Sequence, residues 1–459
     1  MPQRDGALAV LKVLREAGHS AYFAGGCVRD LLLGRTPKDW DVATSATPEQ
    51  VTQLFRRTLA IGAAFGVIKV LWRPGQEYEV ATYRTEGDYS DGRRPDQVHY
   101  STSPKEDVER RDFTLNALLL DPAPDSRRPE EAGAERHDRE DGVVLDFVRG
   151  VPDLRAGLIR AVGDPHERFK EDRLRMLRAV RFAARFGFAV EPATQLAIQA
   201  HAPEIKVVSV ERIVNELDGI WGSGRAALGE RLLELVGLRG GLAALIPRGE
   251  ESVSAAFERL DRLEGMANVF EALGDGLSSW DDRNIERVRQ LVLGPESEAP
   301  TPSERTLLGW ALLLKGDRKG LELAMRSLKF SRDRIDQVLC LVDLAPTLMA
   351  LEAEAEPRVR RLVSRGGAMA RWFQLCLLPP SHPAISRFLA MALELAERPL
   401  PDKPLVGGAE LKALGVAPGP EFKRYLGAID EAVYARQIST REEAQALLER
   451  LVKESLSES

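Results

Sequence analysis

Cysteine is scarce in this chain of 459 residues. The three that occur, Cys27, Cys340 and Cys376, are far apart and odd in number. Neither a disulfide framework nor a zinc site is indicated, and a reducing, cytoplasmic setting is expected. Long apolar runs are also missing, so no segment reads as a membrane span. The N-terminus lacks the basic-then-apolar pattern of a signal peptide. No period of about 20 to 50 residues stands out, which argues against a repeat solenoid. The helical half carries no His-Asp pair or other metal-hydrolase signature, so phosphohydrolase chemistry is not expected. Nor is there an excess of basic charge: 64 Lys and Arg against 70 Asp and Glu leave a formal net charge of -6. A chain with that balance is not an obvious nucleic-acid binder.

The basic residues that are present cluster. Arg93-Arg94, Arg110-Arg111 and Arg127-Arg128 are followed by Arg168, Lys170, Arg173, Arg175, Arg178, Arg181 and Arg185. A local basic face holds a polyanion even when the whole molecule is acidic. The length predicts roughly two to four domains. Residues 5 to 17 read as an amphipathic helix. Strand-like runs follow at Ser20 to Ala24, Trp40 to Thr44, Val67 to Trp72, Tyr78 to Arg84 and Leu115 to Leu120, with helical patterns at Val28 to Leu33 and Pro48 to Leu54. This predicts a small mixed α/β domain ending near residue 150. Pro122 to Asp141 reads as an exposed insertion or loop. Beyond residue 150 the pattern is all-helical, beginning with one long helix through Pro165 to Phe186. Residues 225 to 400 carry no chemistry in their composition.

The most informative segment is Gly25-Gly26-Cys27-Val28-Arg29-Asp30, followed by Lys38-Asp39-Trp40-Asp41-Val42. A glycine pair ends one apolar run and two aspartates sit two apart in the next. In a strand, residues two apart share a face, so Asp39 and Asp41 point the same way. Paired carboxylates repel each other unless a cation lies between them. Two hard oxygen ligands beside a phosphate-holding turn suit magnesium-dependent phosphoryl or nucleotidyl transfer. Asp-x-Asp alone is more often a solvated strand edge; its combination with the glycine turn and two downstream motifs shifts the balance. Glu79, on the run Glu77 to Arg84, completes a three-carboxylate cluster if that strand lies beside the aspartates.

Two further constellations stand out. Arg110-Arg111-Asp112-Phe113-Thr114-Leu115-Asn116 offers planar guanidinium forks to phosphate, with Asp112 and Asn116 as partners for sugar hydroxyls. Lys170-Glu171-Asp172-Arg173-Leu174-Arg175 places Glu171, Asp172 and Arg175 within one helical turn of one another. On an ordinary helix these would be a surface ion pair of little consequence. Beside a nucleotide they have another use. Adenine and cytosine present an amino donor next to a ring-nitrogen acceptor. A carboxylate accepts from the first and a guanidinium donates to the second. Guanine and uracil leave polar groups unpaired, at ~1–3 kcal/mol per group. Side chains then choose bases without a template.

With these residues in view the chain resembles the class II tRNA nucleotidyltransferase and bacterial poly(A) polymerase family. Gly25-Gly26, Arg29-Asp30 and Asp39-Trp40-Asp41 resemble its metal and triphosphate motif. Arg111 to Ala117 resembles its ribose-selecting motif, Asp153 to Gly163 its head–neck hinge, and Glu171 to Arg175 with Arg178 its nucleotide-templating motif. Ser209 to Leu217 resembles the motif that supports the neck helices. A weaker match, Leu405 to Ala432, resembles the tail of bacterial members. The resemblance implies an α+β protein: a polymerase-β-like nucleotidyltransferase head (1–150), then a helical neck (151–225), body (226–345) and tail (346–459). It implies addition of nucleotides to a tRNA 3′ end from ATP and CTP. Two Mg2+ ions would sit on Asp39 and Asp41, with Glu79 helping in catalysis. Gly25, Gly26 and Arg29 would hold phosphates, and Arg111, Asp112 and Asn116 would sense the ribose. Glu171, Asp172, Arg175 and Arg178 would serve base selection. No membrane and no protein partner are implied.

Within that family, full CCA addition ranks first and A-only addition second. The segment Thr85 to Pro95 resembles the flexible loop of full CCA-adders, which CC-only enzymes typically lack. The short, mixed C-terminal end disfavours a poly(A) polymerase. The acidic tract Glu352 to Glu356 leaves room for a specialised A-adder. A non-catalytic RNA-binding protein on a decayed head is disfavoured by the intact carboxylates.

Overall fold

The computed structural model describes residues 2–60, 66–86, 98–123, 131–243, 245–246, 253–264, 283, 300–314, 318–349, 351, 353–365, 367–379, 381–401 and 403–457. Its contacts divide the chain into two units, Met1–Ile246 and Pro247–Ser459. The fold is α+β, with the sheet in the first unit and helices alone among the described residues of the second.

The first unit opens with helix α1 (Pro2–Glu16), which leads into strand β1 (Ala21–Ala24). Helix α2 (Gly26–Leu32), strand β2 (Val42–Thr44) and helix α3 (Pro48–Leu54) follow. Pro48 and a reciprocal Thr47–Gln50 capping box fix the start of α3. Strands β3 (Thr58–Leu59), β4 (Val67–Arg73) and β5 (Gln76–Thr82) continue the sheet. β6 (Arg84–Glu86) and β7 (Val98–Tyr100) form a separate ribbon, so the run expected through Arg84 divides between two sheets. Helix α4 (Pro104–Glu109) precedes strands β8 (Leu118–Asp121), β9 (Glu135–Arg139) and β10 (Gly142–Asp146).

The main sheet runs β3-β4-β5-β2-β1-β8-β10-β9. It is antiparallel except where β2 pairs parallel with β5, Val42 opposite Val80 and Thr44 opposite Thr82. Alternate residues serve opposite faces. Phe23, Val42, Val80 and Leu120 pack under α1 and α3, whereas Tyr22, Ala24, Ala43 and Leu119 pack on the other face with Val108 of α4.

Three local expectations are corrected here. The run Leu115 to Leu120 is not one strand: Thr114–Asn116 forms a 3-10 turn and the strand begins at Leu118. The stretch Pro122 to Asp141 is not simply an exposed loop. Glu135–Arg139 is an edge strand on β10, and Glu131 is fully buried, accepting from Tyr22 Oη at 3.2 Å and paired with Arg136. A charged run such as Glu-Arg-His-Asp-Arg hides its strand character because an edge needs no apolar face and is protected by charge. Nor is the region beyond 150 purely helical: β11 (Leu158–Ile159) and β12 (Ala189–Val190) form a short parallel pair.

The helical part of this unit comprises α5 (Gly150–Ala156), α6 (Pro165–Glu171), α7 (Leu174–Phe186), α8 (Pro192–His201), α9 (Val210–Trp221), α10 (Ala226–Leu235) and α11 (Leu238–Leu242). Buried Asp146 caps α5 by accepting from the Val148, Gly150 and Val151 amides at 2.8–3.1 Å. Asp153 then accepts from Thr114 Oγ1 at 2.8 Å and Arg160 Nε at 3.0 Å, binding the 3-10 turn to the helical region.

The expected long helix from Pro165 to Phe186 is broken. Asp172 leaves helical geometry (φ -146°, ψ 107°), and its carboxylate accepts from the Leu174 amide at 3.0 Å. An aspartate that caps the next helix competes with continuation of the previous one.

In the second unit, helix Val253–Glu264 is held by two arginines: Arg259 donates to the Leu312 carbonyl at 3.0 Å and Arg262 to that of Cys376 at 2.8 Å. Farther on, Arg360 and Arg436 converge on Glu394, and Arg360 also donates to the Tyr434 carbonyl. Leu411, Tyr425, Ile429, Leu448 and Val452 form the core of the C-terminal helices.

Candidate active site

At the C-terminal end of β1 the chain turns at Gly25, with φ 72° and ψ -121°. Residues with a Cβ rarely adopt such a conformation. A Cβ there would also lie 2.9 Å from an Arg111 nitrogen. The glycine therefore serves both the turn and the approach of Arg111.

Asp41 lies beside this turn. The sheet ladder already includes its backbone, because the Ala24 amide donates to the Asp41 carbonyl at 3.0 Å. The regular strand begins only at Val42, so Asp39 and Asp41 stand on the lead-in to β2 and not within a strand from Trp40. The parallel register carries Glu79 alongside Asp41, one step before the Val42–Val80 pair. Asp39 and Glu79 are exposed and Asp41 is half-buried. Together with Lys38, Lys69, Glu77 and Gln3 they line a cleft of about 430 Å3. Burial, then the neighbouring Glu79 and Asp39 carboxylates, push the Asp41 carboxyl from 3.8 up to about 6, against the pull of Arg111.

A divalent cation fits this chemistry. The three carboxylates raise one another's charge cost, and a cation between them removes it. Among the described residues no three His, Cys, Asp or Glu side chains already converge into a ligand cage. A magnesium site needs only one or two carboxylates, because substrate phosphates and water complete it.

Arg111, Asp112 and Asn116 stand on the far side of the glycine turn. Arg111 donates to Asp107 Oδ2 at 3.0 Å and to the Asn116 carbonyl at 3.1 Å, while its buried Nε has no partner. Asp107 is buried, which by itself raises its carboxyl. Arg111 and Arg110 outweigh that and hold it below the usual range. Asn116 joins two groups: its Oδ1 accepts from Arg29 at 2.6 Å and its Nδ2 donates to Asp112 at 3.3 Å. Arg29, only 5% exposed, also grips Asp30 at 2.8 Å.

Asp112 connects this group to the helical region. Its Oδ2 accepts from Arg178 at 2.6 Å. Burial raises the Asp112 carboxyl, but Arg178, and after it Arg175 and Asn116, bring it below its ordinary value. Around the break between α6 and α7, Glu171 pairs with Arg175 and Arg168, and Asp172 Oδ2 accepts from Arg212 at 2.6 Å. Arg175 also donates to the Arg168 carbonyl at 3.3 Å. One helical turn after Arg212, Glu216 holds Arg181 and lies 3.8 Å from Arg178. The structure thus brings the glycine turn, the ribose-type motif and the Glu171–Arg175 motif into one network, with the Asp39–Asp41–Glu79 cleft on the other side of Gly25 and Arg111. Sequence reasoning had placed Arg212 and Glu216 in the neck-supporting motif and Asp153 and Arg160 in the hinge without giving any of them a partner, and it had not singled out Asp107. The expected flexible loop Thr85 to Pro95 lies outside the described residues from position 87 onward, and the acidic tract at 352–356 begins on a residue outside them.

Residues 21–160 match the family model described as the Poly A polymerase head domain. Residues 187–242 match one described as a probable RNA and SrmB- binding site of polymerase A. The CCA-adding enzyme of Lactiplantibacillus plantarum is 32% identical over 454 residues, covering 98% of this chain and 96% of its own. The chain belongs to the CCA-adding enzyme family. The CCA-adding enzyme of Geobacillus stearothermophilus is 40% identical over 290 residues, 63% of this chain and 67% of its own. The fold agrees with the structure of the Bacillus stearothermophilus CCA-adding enzyme in complex with CTP, at a TM-score of 0.69 and 28% identity over the full length of both chains. The Thermotoga maritima CCA-adding enzyme complexed with tRNA shares the fold, at a TM-score of 0.66 and 20% identity over 98% of this chain and 95% of that one. CCA-adding enzymes are nucleotidyltransferases that use divalent metal. Among the described residues no helix is long and apolar enough to cross a membrane.

Proposed function

We propose that this chain is a template-independent tRNA nucleotidyltransferase that builds the 3′-terminal CCA from CTP and ATP. The observation that carries the reading is the Gly25 turn. It separates a cleft of three mutually repelling carboxylates from a network joining Arg111, Asp112 and Asn116 to the Glu171–Arg175 motif. Full CCA addition is favoured over A-only addition because the relatives at 32–40% identity are CCA-adding enzymes.

In this reading Asp39 and Asp41 carry two Mg2+ ions, and Glu79 shares the charge. The ions, when bound, would favour ionisation of the primer 3′-hydroxyl and neutralise the triphosphate and leaving pyrophosphate. The rest falls to the chain's own groups. Gly25 and Gly26 let backbone approach the phosphates, and Arg111, whose Nε is unpaired, faces them with positive charge. Arg29 acts on the same side, by charge and by fixing the Asn116 amide. Asn116 and Asp112 meet the ribose. Asp172 accepts from the base amino group and Arg175 donates to the ring nitrogen; Glu171 orients Arg175, and Arg178 holds Asp112 in place. The 3′-hydroxyl oxygen bonds to the α-phosphorus as the bond from that phosphorus to the oxygen bridging the β-phosphate breaks; pyrophosphate departs with the bridging oxygen and the hydroxyl proton passes to solvent.

We divide the chain into head 1–150, neck 151–225, body 226–345 and tail 346–459, the last division falling within the helix Arg332–Met349. The three free cysteines suit a cytoplasmic setting.

The test offers purified protein three tRNAs, ending before the CCA, after the first C and after CC, with CTP and ATP separately and together. Stepwise completion to CCA on all three supports the proposal. Extension of only the CC-ended tRNA would show A-only addition, arrest at CC a CC-only enzyme, and long A-tails a poly(A) polymerase. No extension of any of them overturns the assignment.

A further inference from the structure

Helix α7 ends in a concentration of guanidinium groups, of which only Arg29 belongs to the nucleotide site. Phe182 and Phe186 stack along one face of the helix with centroids 6.1 Å apart and planes 6° from parallel. Arg181 lies over Phe182 at 4.3 Å. Three more converge on Phe186: Arg29 at 4.9 Å, Arg35 at 5.1 Å and Arg185 at 5.4 Å.

The local sequence explains the convergence. Gly34 adopts φ 68° and closes α2, with the Gly34 amide on the Leu31 carbonyl and the Arg35 amide on that of Asp30 at 2.8 Å. This pattern folds the chain back after the helix and delivers Arg35 to Phe186. On the other side, Gly187 (φ 72°) closes α7, and a Cβ there would strike the Arg225 guanidinium.

The charges are not balanced locally. Arg29 has Asp30, and Arg181 has Glu216. Arg35 and Arg185 form no ion pair with a carboxylate among the described residues. Arg185 feels burial first and then the repulsion of Arg29, Arg181 and Arg35, only partly relieved by Asp30. A single cation in the last turn of a helix complements its dipole. Several guanidiniums facing one another go beyond that and are stabilised by an anion. Cation–π contacts of this kind contribute only ~0.5–2 kcal/mol each.

We propose that Arg35 and Arg185, gathered around Phe186, form a docking patch for the phosphodiester backbone of the RNA substrate. The proposal rests on the reading of the chain as an RNA-extending enzyme. The phenyl face that would otherwise stack a base is covered by guanidiniums, so the contact is to phosphate and is blind to sequence. Such a contact suits an enzyme that handles many RNAs sharing only their shape. Arg29 ties the patch to the nucleotide site, because the guanidinium that packs on Phe186 also donates to Asn116.

The experiment uses the full chain and a tRNA transcript lacking its terminal CCA. Affinity is measured by fluorescence anisotropy from 50 to 200 mM KCl, for the wild type and the double variant Arg35→Gln/Arg185→Gln. Two lost phosphate contacts lower affinity by roughly 10–30-fold near 150 mM salt and flatten the log–log salt slope by about 1.4–1.8. CTP affinity measured without RNA stays at its wild-type value. The double lysine variant, which keeps the charge, recovers most of the slope. Unchanged RNA affinity and slope in the glutamine variant, with a wild-type melting curve, would overturn the proposal. Loss of CTP affinity with intact RNA binding would also overturn it, by assigning the patch to the triphosphate. Failure of the wild type to extend any tRNA, alongside a normal salt effect of the variants, would remove the functional reading and leave the patch standing.

Discussion

The two sides of the Gly25 turn use carboxylates in opposite ways. In the cleft, burial and the Glu79 and Asp39 charges push on Asp41 while Arg111 pulls against them, and the Asp41 carboxyl rises to about 6. In the network around α7, Asp112 meets Arg178, Asp172 meets Arg212, Glu171 meets Arg175 and Glu216 meets Arg181. There Asp112 falls below its ordinary range despite burial. The first arrangement stores repulsion that an incoming cation relieves. The second is internally satisfied, so its geometry is fixed in advance and a ligand must match it or exchange for a partner. Repelling charge and paired charge are thus prepared by different physics within one unit.

The sharpest way to break this contrast is in the cleft. Asp41→Asn keeps the shape and removes the charge, and single-turnover nucleotide addition is expected to fall roughly 10^3-fold or more while tRNA affinity holds. Retention of addition within tenfold would mean that the acid is not a ligand.

On the network side the expected effect is smaller and of another kind. Arg175→Ala removes the proposed donor to the base, so the preference for A and C over G and U is expected to shrink by about 5–150-fold, matching ~1–3 kcal/mol per unpaired group. The measurement is incorporation of each of the four nucleotides under competition. A variant that slows all four equally would place Arg175 in the scaffold.

A pH series tests the stored repulsion directly. Because the Asp41 carboxyl is raised from 3.8 to about 6, its ionised form is the costly one in the folded state. The cost is absent at pH below 3.8, grows as pH rises through about 6, and is complete above it. Divalent-ion affinity, followed by Mn2+ titration, is therefore expected to strengthen from pH 5 to 7 and then level off. Asp41→Asn is expected to flatten that rise, and a profile with no inflection in the wild type would contradict the cause assigned to it.

The smallest effect is expected at Arg212→Ala, which touches no proposed ligand but frees Asp172. Discrimination between bases is expected to weaken a few-fold, with the nucleotide KM changing more than kcat. Unchanged discrimination would show that Asp172 is held well enough by the Leu174 amide alone.

What could be read in advance follows from how local each feature is. The turn at Gly25 was legible because it is encoded within a short stretch; the strand alternation expected to pair Asp39 with Asp41 was not met, since the regular strand begins only at Val42. Glu79 was legible as a possibility, and the β2–β5 register supplied its position. Arg212 and Glu216 were legible as part of a neck-supporting motif, but not by their partners, because those lie about 40 residues earlier at Asp172 and across α7 at Arg181. The break at Asp172 was missed because apolar periodicity runs straight through it, while a side-chain cap decides the backbone. The edge strand Glu135–Arg139 was missed because solvent-facing strands need no alternation.

The parallel pairing of β2 with β5 also makes the cleft depend on distant stretches of chain. Parallel neighbours cannot be joined by a tight turn, and here α3, β3 and β4 intervene before Glu79 arrives beside Asp41. A nascent chain that has emerged only as far as Thr44 holds both aspartates and no cleft. The third carboxylate of the cleft arrives only with the β4–β5 hairpin, so the charge at this site is assembled from two stretches of chain about 40 residues apart.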